Sequence, residues 1–231
     1  MRTPSTYSLT RSRAPGRVRG GAGRGAGDAQ PVAHESAAAL LPYYTGHGNY
    51  GRVVGIVGAS RTGRRVIELL RPFDFTVLVH DPYLDDEDAA RLGVQAVGLD
   101  DLTKRSHVVS LHAPQLPETR HMFDARRLAL LPDGATLVNT ARGSLVDTDA
   151  LTAQLASGRI DAVLDVTDPE ALPPDSPLFR LPNVLLTPHV AGSLGGELGR
   201  MADHAAAEVT RYAQGLPFAH PVRPGGLLHG A

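Results

Sequence analysis

The chain has 231 residues, 42% of them hydrophobic and 20% charged, with a formal net charge of -1. These values suit one large or two small globular domains and exclude a field strong enough to draw nucleic acid or an anionic membrane. With no cysteine at all, disulfides, thiolate metal sites and a cysteine nucleophile are also excluded, and the composition suits a reducing cytoplasm.

No acidic residue occurs between Met1 and Gly27, while Arg2, Arg11, Arg13, Arg17, Arg19 and Arg24 are scattered among Gly, Ser, Pro and Ala. Such a stretch has almost nothing to bury, so residues 1–30 read as a disordered extension. A transit peptide or an RNA-binding tail would share this composition; a secretory signal would need an apolar segment that is missing. From Pro31 the composition becomes globular, and a domain is expected over 31–222, followed by a flexible tail over 223–231. HESAAALLPYY suggests a short helix ending near Pro42. RVVGIV is an apolar run bounded by glycine, a buried strand. In RTGRRVIELL, residues Val66, Ile67, Leu69 and Leu70 predict a helix face. FTVLVH is a second strand. LDDEDAARLG is a helix whose acidic first turn suits the helix dipole, and Asp85, Asp86, Glu87 and Asp88 read as its solvated start.

HVVSLH predicts the next strand, FDARRLALL a helix ending before Pro132, and ATLVNT a further strand. VDTDALTAQLASG is a helix with Asp147 as N-cap and Gly158 as stop. IDAVLDV and NVLLT are strands, and a long Ala-rich helix runs from about Gly196 to Ala213. Alternating strands and helices, with strands apolar on both faces, point to an α/β fold: a doubly wound parallel sheet of Rossmann type.

The turn between the first strand and first helix, GIVGASRTGRRV, is placed where a dinucleotide phosphate turn belongs. Gly58 permits the tight turn and Gly63 close helix–strand packing. Ser60 stands where a middle glycine would let backbone approach a pyrophosphate; its hydroxyl offers a donor instead. Asp81, at the end of the second strand, has the spacing of an acid that grips ribose hydroxyls, and it favours NAD over NADP. Three further polar residues follow buried strands: Arg142, Glu170 and His189. Strand ends of this kind line the ligand crevice of an open α/β sheet. Their chemistry is coherent: an imidazole base for a hydroxyl proton, a carboxylate to orient and charge it, and a guanidinium fork for a substrate carboxylate. His107 and His112 lie at odd spacing on one strand and cannot share a metal; neither an HExxH nor an EF-hand pattern is present, so no metal site is expected.

The stretches GRVVGIVGASRTGRRV, VHDPYL, VVSLHAPQLPETRHMF, LLPDGATLVNTARGSLVDTDAL, LDVTDPEALPPDSPL and NVLLTPHVAGS closely resemble the NAD-binding domain of the D-isomer specific 2-hydroxyacid dehydrogenases. The resemblance implies hydride transfer between a 2-hydroxy or 2-oxo acid and NAD. It makes Arg142, Glu170 and His189 the catalytic residues. It implies that Arg61 and Thr62 meet the pyrophosphate and Asp81 the ribose, that Ala113, Thr140 and Ala141 line the cofactor cleft, and that Asp165 holds the nicotinamide amide. Family members carry a substrate domain ahead of this one, and the residues before Pro31 are too few to form it. The triad is therefore expected to be wetter than in the family. The Gly196 helix and the HESAAALL helix are expected to expose apolar faces, favouring dimerisation. Two classes of function stay open: a dehydrogenase, or a nucleotide-binding module without catalysis.

Overall fold

The computed structural model describes residues 48–221. The expected extension over 1–30, the HESAAALLPYY helix and the tail over 223–231 lie outside them. Seven strands form one parallel sheet: β1 (Val53–Val57), β2 (Thr76–His80), β3 (Gln95–Ala96), β4 (Val108–Leu111), β5 (Thr136–Asn139), β6 (Asp161–Leu164) and β7 (Val184–Leu186). Their order is β3-β2-β1-β4-β5-β6-β7. The chain therefore winds outward from β1 in one direction, then returns to β4 on the other side of β1. The strand order reverses between β1 and β4, the topological switch point of a doubly wound sheet, where ligands bind outside the carboxyl ends of the strands.

The helices between the strands are α1 (Arg61–Leu70), α2 (Asp86–Leu92), α3 (Leu99–Arg105), α4 (Ala125–Leu128) and α5 (Thr148–Ala156), with α6 (Glu197–Ala213) after β7. Caps set several of the boundaries. Asp85, Asp124 and Asp147 each accept a backbone N–H three residues on, at the starts of α2, α4 and α5, satisfying donors that a helix start leaves unpaired. Gly93 ends α2 in the left-handed region at φ 70°, where glycine carries no Cβ penalty. Asp88, in the acidic first turn of α2, pairs with Arg64 of α1 and with Arg91.

The main core lies between β1, β4, β5, β6 and the helices α3 to α5. Leu102, Val109, Leu111, Phe123, Leu128, Leu137 and Leu145 have no exposed surface there. A smaller cluster of Val54, Ile56, Ala59, Ile67 and Val79 packs α1 on the other face. Both faces are thus covered, which is why the strands read as continuous apolar runs.

Three features differ from the sequence reading. On α1, Ile67 is buried and Val66 and Leu70 are partly buried, but Leu69 is 57% exposed; at 100° per residue it stands about 200° from Ile67, on the far side of the helix. The helix within FDARRLALL is only one turn, Ala125–Leu128. The edge strand β3 and helix α3 lie between segments the sequence reading assigned. In agreement with that reading, α6 has no buried residue, and Leu198, Met201, Val209 and Tyr212 are all exposed.

Candidate active site

The site is assembled at the carboxyl ends of β1, β2 and β4 to β7. After β1 the chain turns at Gly58, with φ 98°, a conformation L side chains rarely adopt. A Cβ there would lie 2.6 Å from the Ala113 nitrogen, and one on Gly63 would overlap the Gly58 carbonyl oxygen. Both glycines are therefore required by close approach, one to the end of β4 and the other within the turn. Ser60 is the N-cap of α1: its Oγ accepts from the Gly63 N–H at 3.2 Å. The hydroxyl proton remains free to be donated. The N–H groups of Arg61 and Thr62 have no partner among the described residues, as an anion-binding helix start demands. Asp81 ties the end of β2 to this turn. Its Oδ2 accepts from the Ala59 N–H at 2.7 Å and its Oδ1 from the Tyr83 N–H at 2.8 Å, and each oxygen keeps a further lone pair.

Ala113 is buried immediately after β4, whereas Thr140 is exposed and Ala141 half-buried after β5. The turn that follows β5 is shaped by Asn139, a buried amide missed in the sequence. Its Nδ2 donates to the Arg142 carbonyl at 3.0 Å and its Oδ1 accepts from the Ala141 N–H at 3.1 Å. Any Cβ on Gly143 would overlap the Thr167 carbonyl oxygen, so this glycine lets the Arg142 loop lie directly against the extension of β6. Arg142 itself is exposed, with one guanidinium nitrogen donating to the Ala141 carbonyl at 2.7 Å.

His189 and Glu170 meet: Nδ1 of the imidazole lies 2.7 Å from Oε1 of the carboxylate. His189 has φ 54°, a left-handed conformation rare outside glycine and worth explaining. Asp165 supplies the explanation. Its Oδ1 accepts from the Thr187 hydroxyl at 2.5 Å and the Val190 N–H at 2.8 Å, its Oδ2 accepts from the Ala191 N–H at 2.8 Å, and its carbonyl accepts from the His189 N–H at 3.0 Å. One buried carboxylate thus grips the turn on both sides of His189. Burial alone would raise the pKa of Asp165, but the hydrogen bonds from Thr187, Ala191 and Val190 and the charge of His189 outweigh it and hold the group below its ordinary value.

Arg142, Glu170 and His189 line a single cavity of about 200 Å³. Gln115, Arg120, Ser144 and Asp168 line it too, and none of these carried a signal in the sequence. Arg120 pairs with Asp168 at 3.1 Å. The hydroxyl of Ser144 is buried without a hydrogen-bond partner, an open polar valence in the wall of the cavity. His107 and His112 serve other ends: the former accepts the Val53 N–H on Nδ1, and the latter pairs with the Ser110 hydroxyl. Among the described residues, one group of side chains does offer metal-ligating atoms close together: His204, Glu208 and His220.

Residues 27–191 match the model of the D-isomer specific 2-hydroxyacid dehydrogenase NAD binding domain. The chain belongs to the D-isomer specific 2-hydroxyacid dehydrogenase family. A glyoxylate reductase of Korarchaeum cryptofilum is 39% identical over 171 residues, covering 74% of this chain and 52% of that protein. A D-3-phosphoglycerate dehydrogenase of Mycobacterium bovis is 38% identical over 167 residues, covering 72% of this chain and 31% of that protein. Among solved structures, the D-lactate dehydrogenase of Lactobacillus jensenii with NAD+ has a TM-score of 0.65 at 26% identity, covering 74% of this chain and 56% of that one. The matched part of the chain therefore spans between 31% and 56% of the length of these family members. NAD is the cofactor of this domain, and the Gly58–Gly63 cradle, the unpartnered N–H groups of Arg61 and Thr62, and the Asp81 carboxylate fit a dinucleotide. Among the described residues, no helix is long and apolar enough to cross a membrane.

Proposed function

We propose that this chain works as an NAD-dependent 2-hydroxyacid dehydrogenase, interconverting a 2-hydroxy acid and its 2-oxo acid. The observation that carries the reading is the 2.7 Å contact between His189 and Glu170, in one cavity with Arg142. With Nδ1–H donated to Glu170, the imidazole presents Nε2 as the acid or base for the substrate oxygen. Glu170 orients the ring and lies against the positive charge that develops when Nε2 takes up the substrate proton. The Arg142 guanidinium binds the substrate carboxylate and polarises the reacting carbonyl. Gly58, Ser60, Arg61, Thr62 and Gly63 would hold the cofactor's pyrophosphate and Asp81 its ribose. Ala113, Thr140 and Ala141 would line its cleft, with Asp165 toward the nicotinamide amide through the remaining lone pair of Oδ2. When bound, NAD supplies the hydride acceptor or donor.

The domain in this reading runs over 31–222. We also assign the chain to the cytoplasm, on its cysteine-free composition, and to a homodimer, on the exposed apolar residues of α6. A second reading, a nucleotide-binding module without catalysis, draws on one observation: the side chains of His189 and Glu170 are 48% and 73% exposed, and wet charges polarise a substrate weakly.

NADH titration followed by fluorescence, with NADH oxidation assayed on glyoxylate, pyruvate and hydroxypyruvate, separates the readings. Saturable binding and turnover of at least one acid are expected. His189→Ala should lower kcat by roughly 100- to 10,000-fold and leave NADH affinity unchanged. Binding without turnover selects the non-catalytic module, and turnover insensitive to His189→Ala removes the assigned role.

A further inference from the structure

We propose that His204, Glu208 and His220 form a divalent metal site suited to Zn2+. His204 and Glu208 are four residues apart on α6 and so share one helix face. The chain beyond α6 folds back along that face and brings His220 to them. Four contacts hold it there. The Leu216 N–H donates to the Arg211 carbonyl at 2.9 Å, and Arg211 Nε donates to the Pro217 carbonyl at 2.8 Å. The rings of Tyr212 and Phe218 stack 6.0 Å apart at 5°. The Ala219 N–H donates to Glu208 Oε2 at 3.2 Å.

The outcome is a pair of imidazoles with ring centroids 4.7 Å apart beside a carboxylate. One ligand atom from each of the three side chains falls within 4.8 Å of the others. Ligands about 2.0–2.1 Å from a tetrahedral Zn2+ stand roughly 3.3 Å from each other. The three atoms must therefore close by at most about 1.5 Å, within reach of side-chain torsions. Two nitrogen donors and one oxygen donor suit Zn2+, whereas Mg2+ and Ca2+ prefer all-oxygen shells. Three protein ligands leave a fourth position for water. His204 and His220 are exposed and Glu208 is half-buried, so an ion enters directly from solvent. None of the three lines the cavity of Arg142 and His189, so the ion acts as a clip between α6 and residues 217–220.

The test uses the untagged full chain, because an affinity tag of histidines would compete. Zn2+ is titrated by calorimetry, and Co2+ is titrated by visible absorption, whose d–d bands report tetrahedral geometry. One equivalent of each should bind. His204→Ala and His220→Ala should each weaken binding by at least about 10- to 100-fold, and acidification should weaken it further because protonated imidazole cannot ligate. The far-ultraviolet circular dichroism of both variants should match the parent chain, since the exposed histidines make no contribution to the core. NADH affinity should be the same with and without Zn2+, which keeps this result separate from the proposed dehydrogenase activity. The chain has ten histidines, so binding that survives the His204→Ala/His220→Ala double variant lies elsewhere and overturns the proposal, as does the absence of saturable Zn2+ and Co2+ binding.

Discussion

His112 directly follows β4 with its ring buried, 6% exposed, and Nε2 2.9 Å from the Ser110 hydroxyl. Burial lowers its pKa below the ordinary 6.5, because the charged imidazolium loses its hydration. In the unfolded chain the ring titrates near about 6.5. Below that pH the unfolded state binds more protons than the folded one, so stability is complete above it and falls as pH drops toward the lowered folded value. His112→Gln keeps a hydrogen-bonding group and removes the titration. The urea-derived unfolding free energy should therefore fall less steeply in the variant than in the parent between about pH 7 and 5. Identical slopes would mean that His112 is not the group responsible. At this scale the sequence was informative about residue type but silent about partnership. His189 and Glu170 stood out as polar residues after apolar strands, yet the link between Asp165 and the left-handed turn at His189 depends on four hydrogen bonds that no spacing rule predicts. Ser144 and Asn139 were invisible for the same reason: a small polar residue becomes significant only when its surroundings leave it buried.

The phosphate turn and α1 act as one element. Gly63 lies so close to the Gly58 carbonyl that a methyl group cannot fit without moving the helix off the turn. Gly63→Ala should cost about 1–3 kcal/mol by overpacking and should weaken NADH binding, because the N–H groups of Arg61 and Thr62 shift with the helix start. Chemical denaturation and NADH fluorescence read the two effects; a variant with parental stability and affinity would show that the turn relaxes freely. The element was legible because three independent cues coincide: an apolar strand, a glycine turn and a helix with a buried stripe. The pair β3 and α3 was not. Gln95–Ala96 is a two-residue exposed edge strand, too short for any periodicity to register. Helix α3 has seven residues and buries only Leu102 and Thr103, and its start at Gly98 has no side-chain cap for the sequence to announce.

Over the described residues, the helices between the strands cover the sheet, whereas α6 buries none of its residues. Leu198, Met201, Val209 and Tyr212 recur at three- to eight-residue intervals along it and are 54%, 58%, 67% and 71% exposed. Apolar positions so spaced form a single stripe, and an exposed stripe of that length is a surface for association. Sedimentation velocity should find the parent chain dimeric, and the Met201→Glu/Val209→Glu variant monomeric. A monomeric parent chain would refute the homodimer. The same variant should leave NADH affinity unchanged, since neither residue belongs to the phosphate turn.

Hydrophobic patterning, by itself, determined the parallel α/β class, the positions of its main strands along the chain and the place of the phosphate turn, because each depends on local periodicity and on glycine's conformational range. The positions of Arg142, Glu170 and His189 after their strands were determined in the same way. Only the tertiary structure decided that Glu170 and His189 touch, that Asp165 holds the turn between them, and that His220 returns to α6 beside His204 and Glu208. Those juxtapositions join residues up to 26 apart through hydrogen bonds and packing. A contact of that kind is a property of the folded chain, and linear spacing carries no record of it.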